Sequence, residues 1–267
     1  MPGTNPRILL VNDDGIEAAG LALLEQQARR FTDDVWVVSP EREFSGGGHS
    51  ISLTTPVRSR RLGPQRYAVT GTPTDCVVLA VWKLLADRRP DMVISGINHG
   101  ENLADDMTYS GTIGAAMEAA ILGIPTIAMS QLRELGQPPD FTASRDHGPA
   151  VLRSLLDAAI APGIIVNVNF PQFPAADPQF IVTVQGRRPP GTFTPVAGRD
   201  GRNIPLDWIK ITYDAGDPPA GTDLQAAAAG HVSVTALSVD LTSEAANEHL
   251  RGVFAERPAS VRTEESA

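Results

Sequence analysis

Two adjacent carboxylates, Asp13 and Asp14, follow four apolar residues, Ile8 to Val11, and precede Gly15. A short apolar run that ends in a turn signal reads as a buried parallel strand, so the acids fall at its carboxyl end. In open α/β sheets that is where ligands bind. Neighbouring strand residues point to opposite faces, so Asp13 and Asp14 converge only if the chain turns, which Gly15 permits. Two carboxylates about 4 Å apart repel by about 4 kcal/mol at an effective dielectric of 20. A divalent cation reverses the sign of that interaction. The plainer reading is a solvated Asp-Asp-Gly turn.

Three further stretches offer chemistry. Ser45-Gly-Gly-Gly-His49-Ser50 contains three consecutive glycines, which favour neither helix nor strand. It reads as a surface loop or as a loop whose backbone approaches a ligand, with Ser45 offering an oxygen. His49 reads as a structural or supporting group rather than a metal ligand. Asn98 stands just past the strand Asp91–Gly96, as the two acids stand past theirs. Ser110-Gly111-Thr112 opens an Ala-rich helix. A helix start with small hydroxyl residues presents free N–H groups and a positive dipole end, which suits phosphate. Plain capping is the favoured local reading of that motif.

The positioning elements alternate. A helix over Glu17–Arg30 follows the acidic turn, and Val35–Val38 is a second buried strand. Thr72-Pro-Thr-Asp75 opens a helix to about Asp87, with Thr72 or Thr74 as its cap. Ser110–Leu122 is a helix, Pro125–Ser130 a strand, Ala150–Ala159 a helix and Ile164–Phe170 a strand. Such alternation predicts an α/β fold with a mostly parallel sheet. Beyond Pro171, Phe180–Gln185 and His231–Val239 alternate like antiparallel strands. Between them lies a Gly- and Pro-rich stretch from Arg187 to Gly221, long for an internal loop and expected to be a projecting arm or a segment ordered by a partner subunit. Ser243–Phe254 reads as an amphipathic helix, and the tail from Arg257 as disordered.

The bulk properties remove other classes. The chain has 267 residues, 42% hydrophobic and 20% charged, an ordinary globular composition. A net charge of -9 argues against binding a nucleic acid polymer through its phosphates. The single cysteine, Cys76, excludes an intrachain disulfide and a Cys-rich zinc cluster. No signal-like N-terminal segment and no apolar run near 18 residues is present, so a cytoplasmic protein without a membrane partner is expected. Gly-x-Gly-x-x-Gly after the first strand and a Walker-type Gly-Lys loop are both missing. An aspartyl-phosphate phosphatase would want Asp-x-Asp, whereas these acids are adjacent and followed by glycine.

The ordered set is specific where the single motifs are not. It runs Asn12-Asp-Asp-Gly15, Ser45-Gly46 with His49-Ser50, Gly71-Thr-Pro-Thr-Asp-Cys76, Ser95-Gly-Ile-Asn98, Asn102 and Tyr109-Ser-Gly-Thr112. It continues through Asn167-Val-Asn169-Phe-Pro171, Gly221-Thr-Asp223 and Val239-Asp-Leu-Thr242. This set closely resembles the SurE family of survival proteins, metal-dependent 5′/3′-nucleotidases, over almost the whole chain except the tail. The resemblance implies that Asp13, Asp14, Ser45 and Asn98 bind one divalent ion per subunit. It implies too that Ser110-Gly111-Thr112 belongs to a phosphate pocket with Asn102 beside it. Four hard oxygen donors suit magnesium or manganese better than zinc. Asp13 and Asp14 are the candidate catalytic acids, with Asp14 assigned to orient or deprotonate the attacking water. Asn98 and Asn102 join the substrate pocket.

The resemblance further implies a Rossmann-like core and a C-terminal extension exchanged between subunits of a homodimer or homotetramer. One domain is therefore expected over residues 1–256, with a core to about 170, an oligomerisation arm and extension over 171–256, and a disordered tail over 257–267. The expected function is hydrolysis of nucleoside 5′- and 3′-monophosphates. The alternative is a metal-dependent nucleotide sensor without turnover. The chain departs from the family pattern at Glu17-Ala-Ala-Gly20, where a proline is expected before the glycine, in the three-glycine loop, and over Thr192–Pro219.

Overall fold

The computed structural model describes residues 5–134, 136–190, 192–212 and 216–255; the expected tail over 257–267 lies outside them. A nine-stranded sheet forms the centre. Its strands are β1 (Ile8–Val11), β2 (Val35–Pro40), β3 (Ser59–Gly63), β4 (Arg66–Val69), β5 (Met92–His99), β6 (Thr126–Gln131), β7 (Ile164–Phe170), β8 (Phe180–Thr183) and β11 (Val232–Ser238). Two further strands, β9 (Phe193–Arg199) and β10 (Pro205–Ile211), make a separate antiparallel hairpin. The sheet order is β3-β4-β2-β1-β5-β6-β7-β11-β8.

From β4 to β7 all neighbours are parallel. The chain runs outward from β1 through β2 on one side and from β5 through β7 on the other. The order therefore reverses between β1 and β5, and a crevice opens at the carboxyl ends of those two strands. Asp13, Asp14 and Asn98 all stand at that point.

Helices cover both faces because β1 is apolar at every position: Ile8 and Leu10 pack to one side, Leu9 and Val11 to the other. The first side receives α1 (Ala19–Ala28) and α4 (Thr142–Leu156); the second receives α2 (Pro73–Leu79) and α3 (Gly111–Ile121). Burying one Leu or Ile completely is worth about 1.5–3 kcal/mol, so these two layers dominate the stability. Two short helices, α5 (Asp223–Ala228) and α6 (Glu244–Ala255), follow in the C-terminal part. Among the described residues no helix is long and apolar enough to cross a membrane.

Several expectations need correction. The helix read at Ala150–Ala159 begins at Thr142 and contains Pro149. Gly148-Pro149 looks like a breaker, but the buried face of Ala143, Ser144, Val151 and Leu152 holds the turn against α1. The helix from Thr72 is α-helical only to Leu79 and continues as a π-helical turn over Ala80–Leu84. Of the two candidate caps, Thr72 is the one used, in a reciprocal capping box with Asp75. Strand β8 pairs in parallel with β11, and it is β7 that pairs antiparallel with β11. The β3–β4 edge hairpin and the β9–β10 hairpin have no counterpart in the periodicity of the sequence. Strands β3, β9 and β10 are largely exposed, and β4 is four residues long with only its last two buried, so none carries the full alternation that burial imposes.

Candidate functional site

The turn after β1 closes on itself. The Asn12 side-chain amide donates to the Gly15 carbonyl at 3.0 Å, and Gly15 takes φ +104°, which disfavours any side chain. This turns both carboxylates toward one cavity of about 300 Å³ at the carboxyl edge of the sheet. Asp13 is only 4% exposed. Its Oδ1 accepts from the Thr112 hydroxyl at 2.6 Å, and its backbone carbonyl accepts from the Phe44 N–H at 2.8 Å. Asp14 Oδ2 accepts from the His99 N–H at 3.2 Å.

Burial dominates the electrostatics. It pushes the Asp14 carboxyl up to about 7, and the charge of Asp13 adds to that shift. Asp13 is also raised by burial, against which the Thr112 hydroxyl stabilises the ionised form. Two acids this close and this dry resist being charged together until a cation joins them.

Asn98 reaches the same cavity because β5 loses register with β6 between Ser95 and Asn98. Such a bulge re-aims a side chain. The Asn98 amide N–H donates to the Gly100 carbonyl at 2.8 Å, which leaves its Oδ1 as the free donor atom. Ser45 lies on the loop after β2 and lines the cavity with Gly46; its hydroxyl donates to Glu43 Oε1 at 2.7 Å. Asn102 is almost wholly buried and braced by three side chains from two strands, β6 and β7. Its side-chain amide donates to Ser130 Oγ at 2.8 Å, its N–H to Asn169 Oδ1 at 2.8 Å, and its carbonyl accepts from the Asn167 amide at 2.8 Å.

At the start of α3 the two hydroxyls are bonded within the protein. Ser110 lines the cavity, but its hydroxyl accepts from the Ile113 N–H at 3.1 Å and so caps the helix. Thr112 is fully buried and holds Asp13, with its hydroxyl committed there. Gly111 packs on Asp13 so closely that a Cβ would stand 2.8 Å from the Asp13 Cβ. Neither Gly111 nor Thr112 lines the cavity. His49 is likewise structural, paired with Glu118 at 3.0 Å.

The cavity also contains residues to which the sequence reading gave no role. Glu43, His99, Glu101, Asp106, Tyr109, Arg133, Phe193 and Ile211 share its walls. Arg188, from beyond β8, binds Asp106 Oδ2 at 2.7 Å and lies 3.6 Å from Glu101, tying the C-terminal part to the cavity wall. Position after a strand end, the signal that picked Asn98, also applies to Arg133, two residues past β6. Phe193 and Ile211 carry no comparable signal.

The donor set fits a small hard cation: one buried and one half-buried carboxylate, a hydroxyl and an amide oxygen. Among the described residues no three His, Cys, Asp or Glu side chains gather as a metal cluster, so neutral oxygens must complete the shell.

Fold and site together define an α/β protein with an acidic, oxygen-lined crevice at its topological switch point, a class suited to holding a cation beside an anionic ligand. The particular family follows from comparison. The family model described as Survival protein SurE matches residues 8–191, and the chain belongs to that family. A protein of Methylobacterium radiotolerans named 5′-nucleotidase SurE is 48% identical over 253 residues, 94% of this chain and 100% of that one. A protein of the same name from Beijerinckia indica is 46% identical, covering 89% of this chain and 92% of the relative. The crystal structure of the SurE protein from Aquifex aeolicus superposes with a TM-score of 0.79 at 36% identity, covering 93% of this chain and 100% of that one.

Proposed function

We propose that this protein is a divalent-metal-dependent phosphomonoesterase that hydrolyses nucleoside 5′- and 3′-monophosphates to nucleoside and phosphate. The observation that carries the reading is the convergence of Asp13, Asp14, Ser45 and Asn98 on one cavity. The names of the relatives, 5′-nucleotidase SurE, agree with it. One magnesium or manganese ion per subunit would be held by those four residues. When bound, such an ion polarises a phosphoryl oxygen and acidifies water.

The chain's own groups supply position and proton handling. Asp14, held by the His99 N–H, orients the attacking water and takes its proton at the carboxylate. Water oxygen bonds to phosphorus, the ester P–O bond breaks, and the leaving nucleoside oxygen takes up the proton that Asp14 accepted. Thr112 fixes the carboxylate of Asp13, so that Asp14 alone is free to exchange its proton. Ser110 and Asn102 shape the wall against which the phosphoryl group rests. Tyr109 and Phe193, with ring centroids 4.9 Å apart and tilted by 56°, offer aromatic surface for the base.

The assembled form is inferred to be a homodimer or homotetramer with exchanged C-terminal segments. Its support is the apolar hairpin, on which Trp208 and Ile209 are 68% and 67% exposed. A cytoplasmic location, without membrane or nucleic acid polymer as partner, goes with the acidic composition. Phosphate release from AMP tests the reading. Release with manganese and none after chelation is expected; metal-dependent AMP binding without release would make the protein a sensor instead.

A further inference from the structure

We propose that Arg133 is a phosphate-binding residue of this site, the cationic rim group that draws the anion into an otherwise acidic cavity. The inference rests on the phosphomonoesterase reading and names the group that recognises the phosphoryl end of the substrate.

The cavity is short of positive charge. Asp13, Asp14, Glu43, Glu101 and Asp106 all line it, and among the described lining residues Arg133 is the one Lys or Arg. Arg188 stands nearby but is engaged by Asp106 and Glu101.

Arg133 is placed to fill this gap. It follows β6, the parallel neighbour of the strand that carries Asn98, and so reaches the same carboxyl edge. Its side chain lies over Gly100, where a Cβ would meet its Nε at 3.5 Å and its Cζ at 3.8 Å. Among the described residues no carboxylate or carbonyl pairs with it, and it is exposed. A guanidinium left unpaired beside several acids can still form two parallel N–H bonds to phosphate oxygens. A cation on Asp13 and Asp14 would be close to neutralised by those ligands. The charge of the arriving dianion therefore needs a second positive partner, outside the metal shell.

The test uses the full-length protein with Arg133→Gln and Arg133→Lys, and inorganic phosphate, AMP and manganese as probes. Arg133→Gln is expected to raise the inhibition constant for phosphate and KM for AMP about tenfold, with kcat changed less than about threefold. Manganese affinity without phosphate, read by calorimetry, is expected to rise by about two- to threefold, because a like charge near the ion is gone. Arg133→Lys should recover part of the phosphate affinity, since it keeps the charge and loses the fork. Opposite signs for the two ligands separate recognition from general damage. An unchanged inhibition constant in Arg133→Gln, or loss of phosphate and manganese binding together, overturns the proposal. Wild-type protein that binds phosphate through Arg133 but releases none from AMP would instead overturn the phosphomonoesterase reading.

Discussion

The switch point between β1 and β5 and the β9–β10 hairpin solve the burial problem in opposite ways. At the switch point every residue of β1 is buried, and the polar groups appear only where the strands stop. On the hairpin Val196, Trp208 and Ile209 are exposed and find no cover among the described residues. The first region completes itself within one chain. The second holds its ladder from Phe193↔Ile211 to Arg199↔Pro205 but leaves its apolar faces open. Yet the two meet, because Phe193 and Ile211, paired at the base of the hairpin, line the cavity that holds Asp13 and Asp14. The carboxylates sit on the buried region, and the cavity's outer wall comes from the hairpin.

Four experiments would break or sharpen that contrast. The largest effect belongs to the buried side. Asp14→Asn removes a charge at nearly constant volume and should lower turnover on the order of 10³-fold, about 4 kcal/mol of barrier. Its oligomeric state should match wild type. Near-native turnover in a folded variant removes Asp14 from the chemistry.

Next in size is the response to metal. Wild type should gain about 2.7 kcal/mol at a hundredfold excess of manganese over its dissociation constant. Asp13→Asn relieves the repulsion with Asp14 and also removes a donor. Without metal it should melt higher than wild type, and with manganese it should gain less. Equal manganese shifts in the two proteins would take Asp13 out of the site.

Third comes a pH dependence with a defined sign. Asp14 ionises near 3.8 when unfolded and at about 7 in the fold. Between those values the native state binds more protons, so metal-free stability falls as pH rises from about 4 to about 7 and is level above that. The slope is at most about 1.4 kcal/mol per pH unit for this one group. Asp14→Asn should flatten it, whereas saturating manganese, which favours the ionised pair, should reverse it. Melts at several pH values that show the same slope in wild type and Asp14→Asn would contradict the assignment.

The smallest effect on turnover is expected on the hairpin side. Trp208→Ser together with Ile209→Ser should shift the protein toward monomer by light scattering. The manganese melt of the core should be retained, and KM for AMP should rise only a few-fold through the loosened Phe193 wall. An unaltered assembly state would mean that the hairpin's apolar face is covered by something other than a second copy.

The two regions also differ in what their sequences disclose. Asp13, Asp14 and Asn98 are legible because buried parallel strands read as continuous apolar runs, and each residue marks where a run ends. The glycine loop offers Ser45 as one of two readings, and the resemblance selects it. The role of Thr112 is hidden because its partner, Asp13, is 99 positions away, so the helix start looks the same whether it holds phosphate or a carboxylate. Helix α4 is masked by Gly148-Pro149, where packing on α1 outweighs local propensity. The parallel pairing of β8 with β11 depends on which edge of the sheet is vacant, a property of the assembled sheet. Phe193 and Ile211 belong to an exposed hairpin and lack the alternation that a buried face imposes.

Asn102 has a consequence for how the protein comes together in time. Its bonds to Ser130, Asn167 and Asn169 span 28, 65 and 67 positions of the chain. Contacts of such long range are slow to form, because chain closure must be completed before any of them is gained. The loop between β5 and α3 therefore settles only after β6 and β7 have docked in register, and Ser110 is carried into place behind it. A nascent or partly refolded chain has the acidic turn of Asp13 and Asp14 early but no wall facing it, so the cavity is complete only once β7 has docked and the hairpin has brought up Phe193 and Ile211.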